Sequence, residues 1–290
     1  MAGEELVRCD VDDVGVATLT LDDPAERNAW SLAMEERYFG LLDELAGLAD
    51  VRAVVLTGAG SSFCPGLAMS RLATVAGQRG IDLSQRRSAF TPRRFPKPMV
   101  AAINGACAGF GLVHALQCDV RFAARGAKMT TAFARRGLAA EYNLAWTLPR
   151  LVGVEHALDL LISARTFLAE EAHTMGLVSR LCDPDTVLGD AQAYARDLTT
   201  RSAPIAMAVI RDLVYDGLDR TFDEALERCY ASMYWMNQQE DLAEGVASFR
   251  EKREPSFASL PDGFDPAAVA GVTHPPFPHP GLAEEEKNDA

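Results

Sequence analysis

The sequence predicts an α/β fold made of repeated strand–strand–helix units that ends in a helical C-terminal region. Three observations carry this. Short continuous apolar runs, RAVVLTG and PMVAAI, lead into glycine-rich turns, as strands covered on both faces do. After those turns the spacing becomes helical. From Glu155 onward helical patterns take over almost completely.

Taken in order, VGVATLTLD (Val14 to Asp22) alternates as a strand, and DDPAERNAW is a turn before a helix capped near Ser31. In that helix Met34, Tyr38, Leu41, Leu45 and Leu48 form one apolar face. Arg52 to Gly58 is a buried strand, and GAGSSFCPGLAMSRL is a loop leading into a helix. A basic segment, GQRGIDLSQRRSAFTPRRFPKP, precedes the strand PMVAAI. INGACAGFGLV turns into a helix, and DVRFAA and AKMTT are short strands. Gly137 to Arg150 is a loop entering a helix. EHALDLLISA and AEEAHTMG are helical and LVSRLC is a brief strand. Helices follow over Val187 to Arg201, Ile205 to Tyr215 and Thr221 to Arg250. From Pro261 the chain is rich in proline and ends in EEEKNDA, the composition of a disordered or loosely attached tail.

Composition narrows the function. The 290 residues are 48% hydrophobic and 24% charged, with no run of about eighteen apolar residues, so a soluble protein with no membrane span is expected. MAGEELVRCD has neither a basic nor an apolar leader region, which points to the cytoplasm. The six cysteines form no CxxC pair and read as reduced core thiols, and the five histidines give no HExxH, so no metal site is expected. A net charge of −13 repels phosphate backbones and argues against nucleic acid as a partner.

Two stretches share one design. TGAGSSFCPGLAM and INGACAGFGLV each place glycine-rich backbone after a buried strand and before a helix, where amides point outward and suit an anion or a developing oxyanion. A tight turn with no chemistry is the structural alternative for either one. Neither completes GxGxxG, because Phe63 and His114 stand at the third position. No GxSxG elbow or GxxxxGK[ST] loop is present.

These residues resemble the crotonase superfamily, the enoyl-CoA hydratases and isomerases. The matching pieces are LDDPAERNAWS, RAVVLTGAGSSFCPGLAM, KPMVAAINGACAGFGLVHALQCDVRFAA, FARRGLAAEYNLAWTLPRLVG, ARTFLAEEAHTMGLVSRLC and EGVASFREKREP, in the family's order over roughly residues 5 to 255. The resemblance implies a spiral of ββα units over 1–200, a helical oligomerisation region over 201–260 that builds trimers or hexamers, and a tail over 261–290. It implies an acyl-CoA substrate, with coenzyme A part of that substrate and no separate cofactor. It places the two oxyanion-binding amides at Leu67 and Phe110, with Pro65, Gly66 and Gly109 shaping their loops.

The resemblance also sets the departures. Hydratases of the family place one glutamate three residues after the second amide and another on the following loop. Here those positions hold Val113 and Arg136, and Ala68 replaces a common aspartate. Glu141, five residues before Trp146, stands where the isomerase branch carries its acid. Glu141 is thus the candidate proton shuttle; the alternative is a helix-start acid contributing under about 1 kcal/mol. Arg136 either steers Glu141 or forms a surface ion pair, and His114 either packs in the core or reaches the acyl pocket with Trp146. Arg86, Arg87, Arg93, Arg94 and Lys97 are candidates for the phosphates of coenzyme A, or a solvated lid face. The expected function is enolate stabilisation with one carboxylate, giving double-bond isomerisation or hydration; the alternative is a catalytically silent acyl-CoA-binding scaffold.

Overall fold

A computed structural model describes residues 6–77 and 87–275; Arg86 and the tail beyond 275 lie outside the described residues. Val7–Val11 (β1) and Val16–Leu21 (β2) pair antiparallel, with Val7 opposite Leu21. β1 buries only Val7 and carries Arg8 and Asp10, a polarity that hides it from a hydrophobicity reading. All six residues of β2 are buried. Ser31 caps α1 (Leu32–Gly47), its hydroxyl accepting from the Met34 N–H at 3.2 Å. Met34, Tyr38, Leu41 and Leu45 enter the core as their spacing requires, while Leu48, just past the helix end, is 50% exposed.

Three turns of one design follow. The first is β3 (Ala53–Gly58), β4 (Ser62–Cys64) and α2 (Met69–Gly77). After the single turn α3 (Thr91–Arg94) comes the second: β5 (Met99–Ile103), β6 (Ala106–Ala108) and α4 (Phe110–Gln117). The third is β7 (Val120–Ala124), β8 (Lys128–Thr130) and α5 (Leu144–Val152). Then come α6 (Val154–Leu158), β9 (Phe167–Leu168), α7 (Ala169–Thr174) and β10 (Arg180–Cys182).

The first strand of each turn joins one sheet, of order β1-β2-β3-β5-β7-β10, and the second joins another, of order β4-β6-β8-β9. From β2 the larger sheet is parallel throughout. The chain therefore winds as the expected spiral of ββα units. α8 (Val187–Arg201) lies across β2, β3 and β5, burying Ala191 and Ala195, small residues that permit close approach.

α9 (Pro204–Gly217), α10 (Phe222–Met236), α11 (Glu240–Glu251) and α12 (Pro266–Val269) complete the described chain. The single helix expected from Thr221 to Arg250 is two helices. It breaks where Asn237 ends α10 and Gln239, extended at ψ 149°, caps α11. The tail expectation is also corrected over residues 261–275. Asp265 accepts from the Ala267 N–H at 3.0 Å, Pro266 opens α12 where a missing N–H costs nothing, and Val269 packs with Leu260, Ile205 and Val209. Apolar residues among the prolines anchor this part of the segment. Among the described residues no helix is long and apolar enough to cross a membrane.

Candidate active site

The site forms where the smaller sheet hands over to helices. In the first loop Pro65, Gly66 and Leu67 follow β4, and two asparagines hold the backbone ahead of them. Asn28 Nδ2 donates to the Ala59 and Ser62 carbonyls at 2.9 and 2.7 Å. Asn104 Nδ2 donates to those of Gly58 and Gly60 at 2.8 and 2.9 Å. The Trp30 N–H donates to Gly66 O (2.8 Å) and the Ala68 N–H donates to Trp30 O (3.2 Å). In a parallel bridge of that pattern the intervening Leu67 N–H faces away from Trp30. Among the described residues nothing accepts from it.

The second loop brings Phe110 to the start of α4. Gly109, at φ +49°, is its N-cap, and the Gly109 N–H donates to Thr130 O at 3.0 Å, tying the turn to β8. Helix-start amides point out along the axis, toward negative charge. The two loops touch: a Cβ built on Gly66, at φ +103°, would stand 3.0 Å from Ala108 O and 3.5 Å from the Phe110 nitrogen. On the other side, a Cβ on Gly111 would stand 2.2 Å from Cys64 O, so glycine there lets α4 seat against β4. The glycines of both motifs thus bring two stretches of backbone together.

Glu141 sits in the turn before α5, held by two successive left-handed residues, Tyr142 (φ +50°) and Asn143 (φ +54°). Such backbone is costly for residues with side chains and concentrates at functional sites. The Tyr142 ring packs edge-on against Phe110 with centroids 4.5 Å apart.

Leu67, Phe110 and Glu141 border one cavity of about 290 Å³. Pro65, Gly66, Gly109 and Arg136 border it too. Arg136 is exposed and donates to Ala132 O at 3.2 Å. Val113 is sealed in the core, so α4 offers no carboxylate here. Beneath the loops, burial pushes the Cys64 thiol up to about 12 and the Cys107 thiol well above its usual value, so neither is a thiolate nucleophile at neutral pH.

Two candidates stand elsewhere and are corrected. His114 is fully buried, stacked on Trp30 at 4.2 Å and edge-on to Phe110, so it packs behind the cavity wall. Trp146 borders a different cavity, with its ring against Arg93 and Arg150. Of the basic residues proposed for coenzyme A, Lys97 is buried and bonded to the end of α1, and Arg87 pairs with Asp43. Sequence reasoning missed Tyr142, Phe133 and Leu138 on the wall, and Glu26, a second carboxylate. Glu26 and Tyr142 fall inside the quoted motifs, but nothing in one sequence marks which motif residues face a cavity. Asn28 and Asn104 were likewise invisible as loop supports.

The family model for enoyl-CoA hydratase/isomerase matches residues 12–260. The chain belongs to the enoyl-CoA hydratase/isomerase family. It is 33% identical over 249 residues to the enoyl-CoA hydratase ACTT3 of Alternaria alternata, covering 84% of this chain and 83% of that one. It is 32% identical over 251 residues to the 1,2-epoxyphenylacetyl-CoA isomerase of Escherichia coli, covering 84% and 95%. An enoyl-CoA hydratase crystal structure from Bacillus anthracis superposes with a TM-score of 0.80 at 27% identity, covering 88% of this chain and 100% of that one. Family members named as hydratases and as isomerases both stand near this enzyme.

Proposed function

We propose that this enzyme shifts a double bond in an acyl-CoA thioester, with the Leu67 and Phe110 amides as the oxyanion hole and Glu141 as the only proton carrier. The reading rests on one observation: these three residues border one cavity while the positions for a second catalytic glutamate hold buried Val113 and cationic Arg136. Removing a proton near the thioester moves negative charge onto the carbonyl oxygen. Preset amides meet that charge without reorganising, each contributing roughly 3 to 4 kcal/mol. The Glu141 carboxylate takes the proton from one carbon and, now neutral, returns it at another, so the reaction is closed in protons. Hydration would also require an oriented water, a task suited to paired carboxylates. Coenzyme A enters as part of the substrate, and no other cofactor is required.

The test is Glu141→Gln, assayed on β,γ- and α,β-enoyl-CoA esters with product analysis. Turnover should fall by about 10² to 10⁴ while the fold persists. Glu26→Gln should retain most activity, and no hydroxyacyl product should form. Undiminished turnover in Glu141→Gln, or collapse in Glu26→Gln, would reassign the base.

A further inference from the structure

Behind the active-site loops lies a buried polar contact that the proposed chemistry does not use. Trp30 is fully buried and Glu35, in the first turn of α1, is 5% exposed. The indole Nε1 of Trp30 donates to Glu35 Oε2 at 3.0 Å, and Arg71 Nη1 of α2 stands 3.8 Å from the same oxygen. Burying a carboxylate carries a desolvation penalty that a leucine in its place would not incur. What a leucine does not offer is a fixed acceptor for the indole.

That indole belongs to the residue through which the two loops meet. The Trp30 main chain holds the first loop: its N–H donates to Gly66 O at 2.8 Å and its carbonyl accepts from the Ala68 N–H at 3.2 Å, on either side of Leu67. The Trp30 ring holds the second loop, tilted against the Phe110 ring at 5.3 Å between centroids and stacked at 4.2 Å and 18° on His114, one turn further along α4. Ring contacts are individually weak and tolerate sliding. A hydrogen bond to a carboxylate is stronger and directional, so Glu35 fixes the angle of the indole and, through it, the placing of one loop against the other. Arg71 extends the tie to α2, whose Met69 and Leu72 border the same cavity as Leu67 and Phe110.

We infer that Trp30 and Glu35 are positioning residues that set the separation of the Leu67 and Phe110 amides, Glu35 acting through the indole. The inference rests on the reading of those amides as the oxyanion hole. Two donors aimed at one oxygen lose most of their joint effect when either swings aside, and a displacement of about 1 Å is enough to lower a rate by about 100-fold. The rest of an acyl-CoA binds without passing through this pair, so the loss falls on kcat and leaves KM nearly unchanged.

Three variants of the full chain test this. Trp30→Phe removes the indole N–H and keeps a ring, Glu35→Leu removes the acceptor, and Glu35→Gln restores one. Kinetics on a β,γ-enoyl-CoA ester are paired with isotope-edited infrared spectra of bound hexanoyl-CoA carrying carbon-13 at the thioester carbonyl, a saturated ester with no double bond to move. In the wild type the carbonyl stretch should fall below its frequency in free solution, because two amides draw electron density onto the oxygen. Trp30→Phe and Glu35→Leu should each reduce that shift and lower kcat by about 10- to 100-fold at nearly constant KM. The double variant should be no worse than either single one, since both break the same bond, and Glu35→Gln should recover most of what Glu35→Leu loses. A wild-type carbonyl at its solution frequency would overturn the oxyanion hole itself and the inference with it. A shifted wild-type carbonyl that both single variants leave in place, or losses that multiply in the double variant, would overturn the positioning role alone. Should Trp30→Phe not fold, the spectra of Glu35→Leu and Glu35→Gln decide the matter.

Discussion

Gly66 shows how one backbone position governs the site. At φ +103°, with a Cβ due 3.0 Å from Ala108 O, alanine must shift the peptide that carries the Leu67 N–H. Gly66→Ala should lower kcat by about 10- to 1,000-fold, the scale of losing an oxyanion donor, with stability falling by about 1–3 kcal/mol. Kinetics and denaturant titration of the same preparation check both. Lys97 supplies a test by pH. Its ammonium, 2% exposed, donates to the Leu45 carbonyl and to Leu48 O at 2.7 Å at the end of α1, and burial lowers its pKa from 10.5 to about 8 despite Asp262. The unfolded chain thus holds this proton more tightly than the folded one, so a penalty present below about pH 8 is relieved as pH rises toward 10.5. Between pH 7.5 and 9.5 the protein should gain stability relative to Lys97→Met; parallel curves for the two would contradict this assignment.

Among elements, the attachment of α9 depends on Asp119. Its carboxylate accepts from Arg211 Nε at 2.7 Å, the Tyr215 hydroxyl at 2.6 Å and the Met99 N–H at 2.7 Å. Asp119→Ala leaves the part-buried Arg211 without its ionic partner, with only the Phe95 and Pro92 carbonyls to donate to, and should cost about 3 kcal/mol, read from the urea midpoint. The elements legible in the sequence were those with a strong period or an unbroken apolar run, such as α1, β3, β5 and α8. β1 was missed because four of its five residues are not buried, and β4 and β6 because three residues are too few to show a period. The two glycine-rich loops were legible because glycine is demanded by backbone contact, which leaves a mark in sequence. Glu141 was legible only through the family resemblance. The orientations of His114 and Trp146 depend on packing against Trp30 and Arg93, partners remote in sequence that no local pattern reveals.

At the scale of the whole molecule, the C-terminal helices leave large apolar side chains in solvent: Phe222 is 78% exposed and Phe249 84%, with Leu242 and Val246 near 50%. Exposed apolar surface of this kind marks an interaction site, and the family resemblance suggests trimers. Sedimentation should give three or six times the 31.3 kDa chain mass, and Phe249→Asp should shift the population to smaller species. A wild-type monomer at micromolar concentration would exclude that role for α10 and α11. The proposed chemistry requires two strand-to-helix loops to share one substrate atom. A crystal structure with a non-reactive acyl-CoA analogue measures this directly. The thioester oxygen should lie within about 3.2 Å of both the Leu67 and Phe110 nitrogens, with the Glu141 carboxylate facing the carbons beside it. A thioester bound to one amide alone, or with Glu141 turned away from the acyl chain, would contradict it.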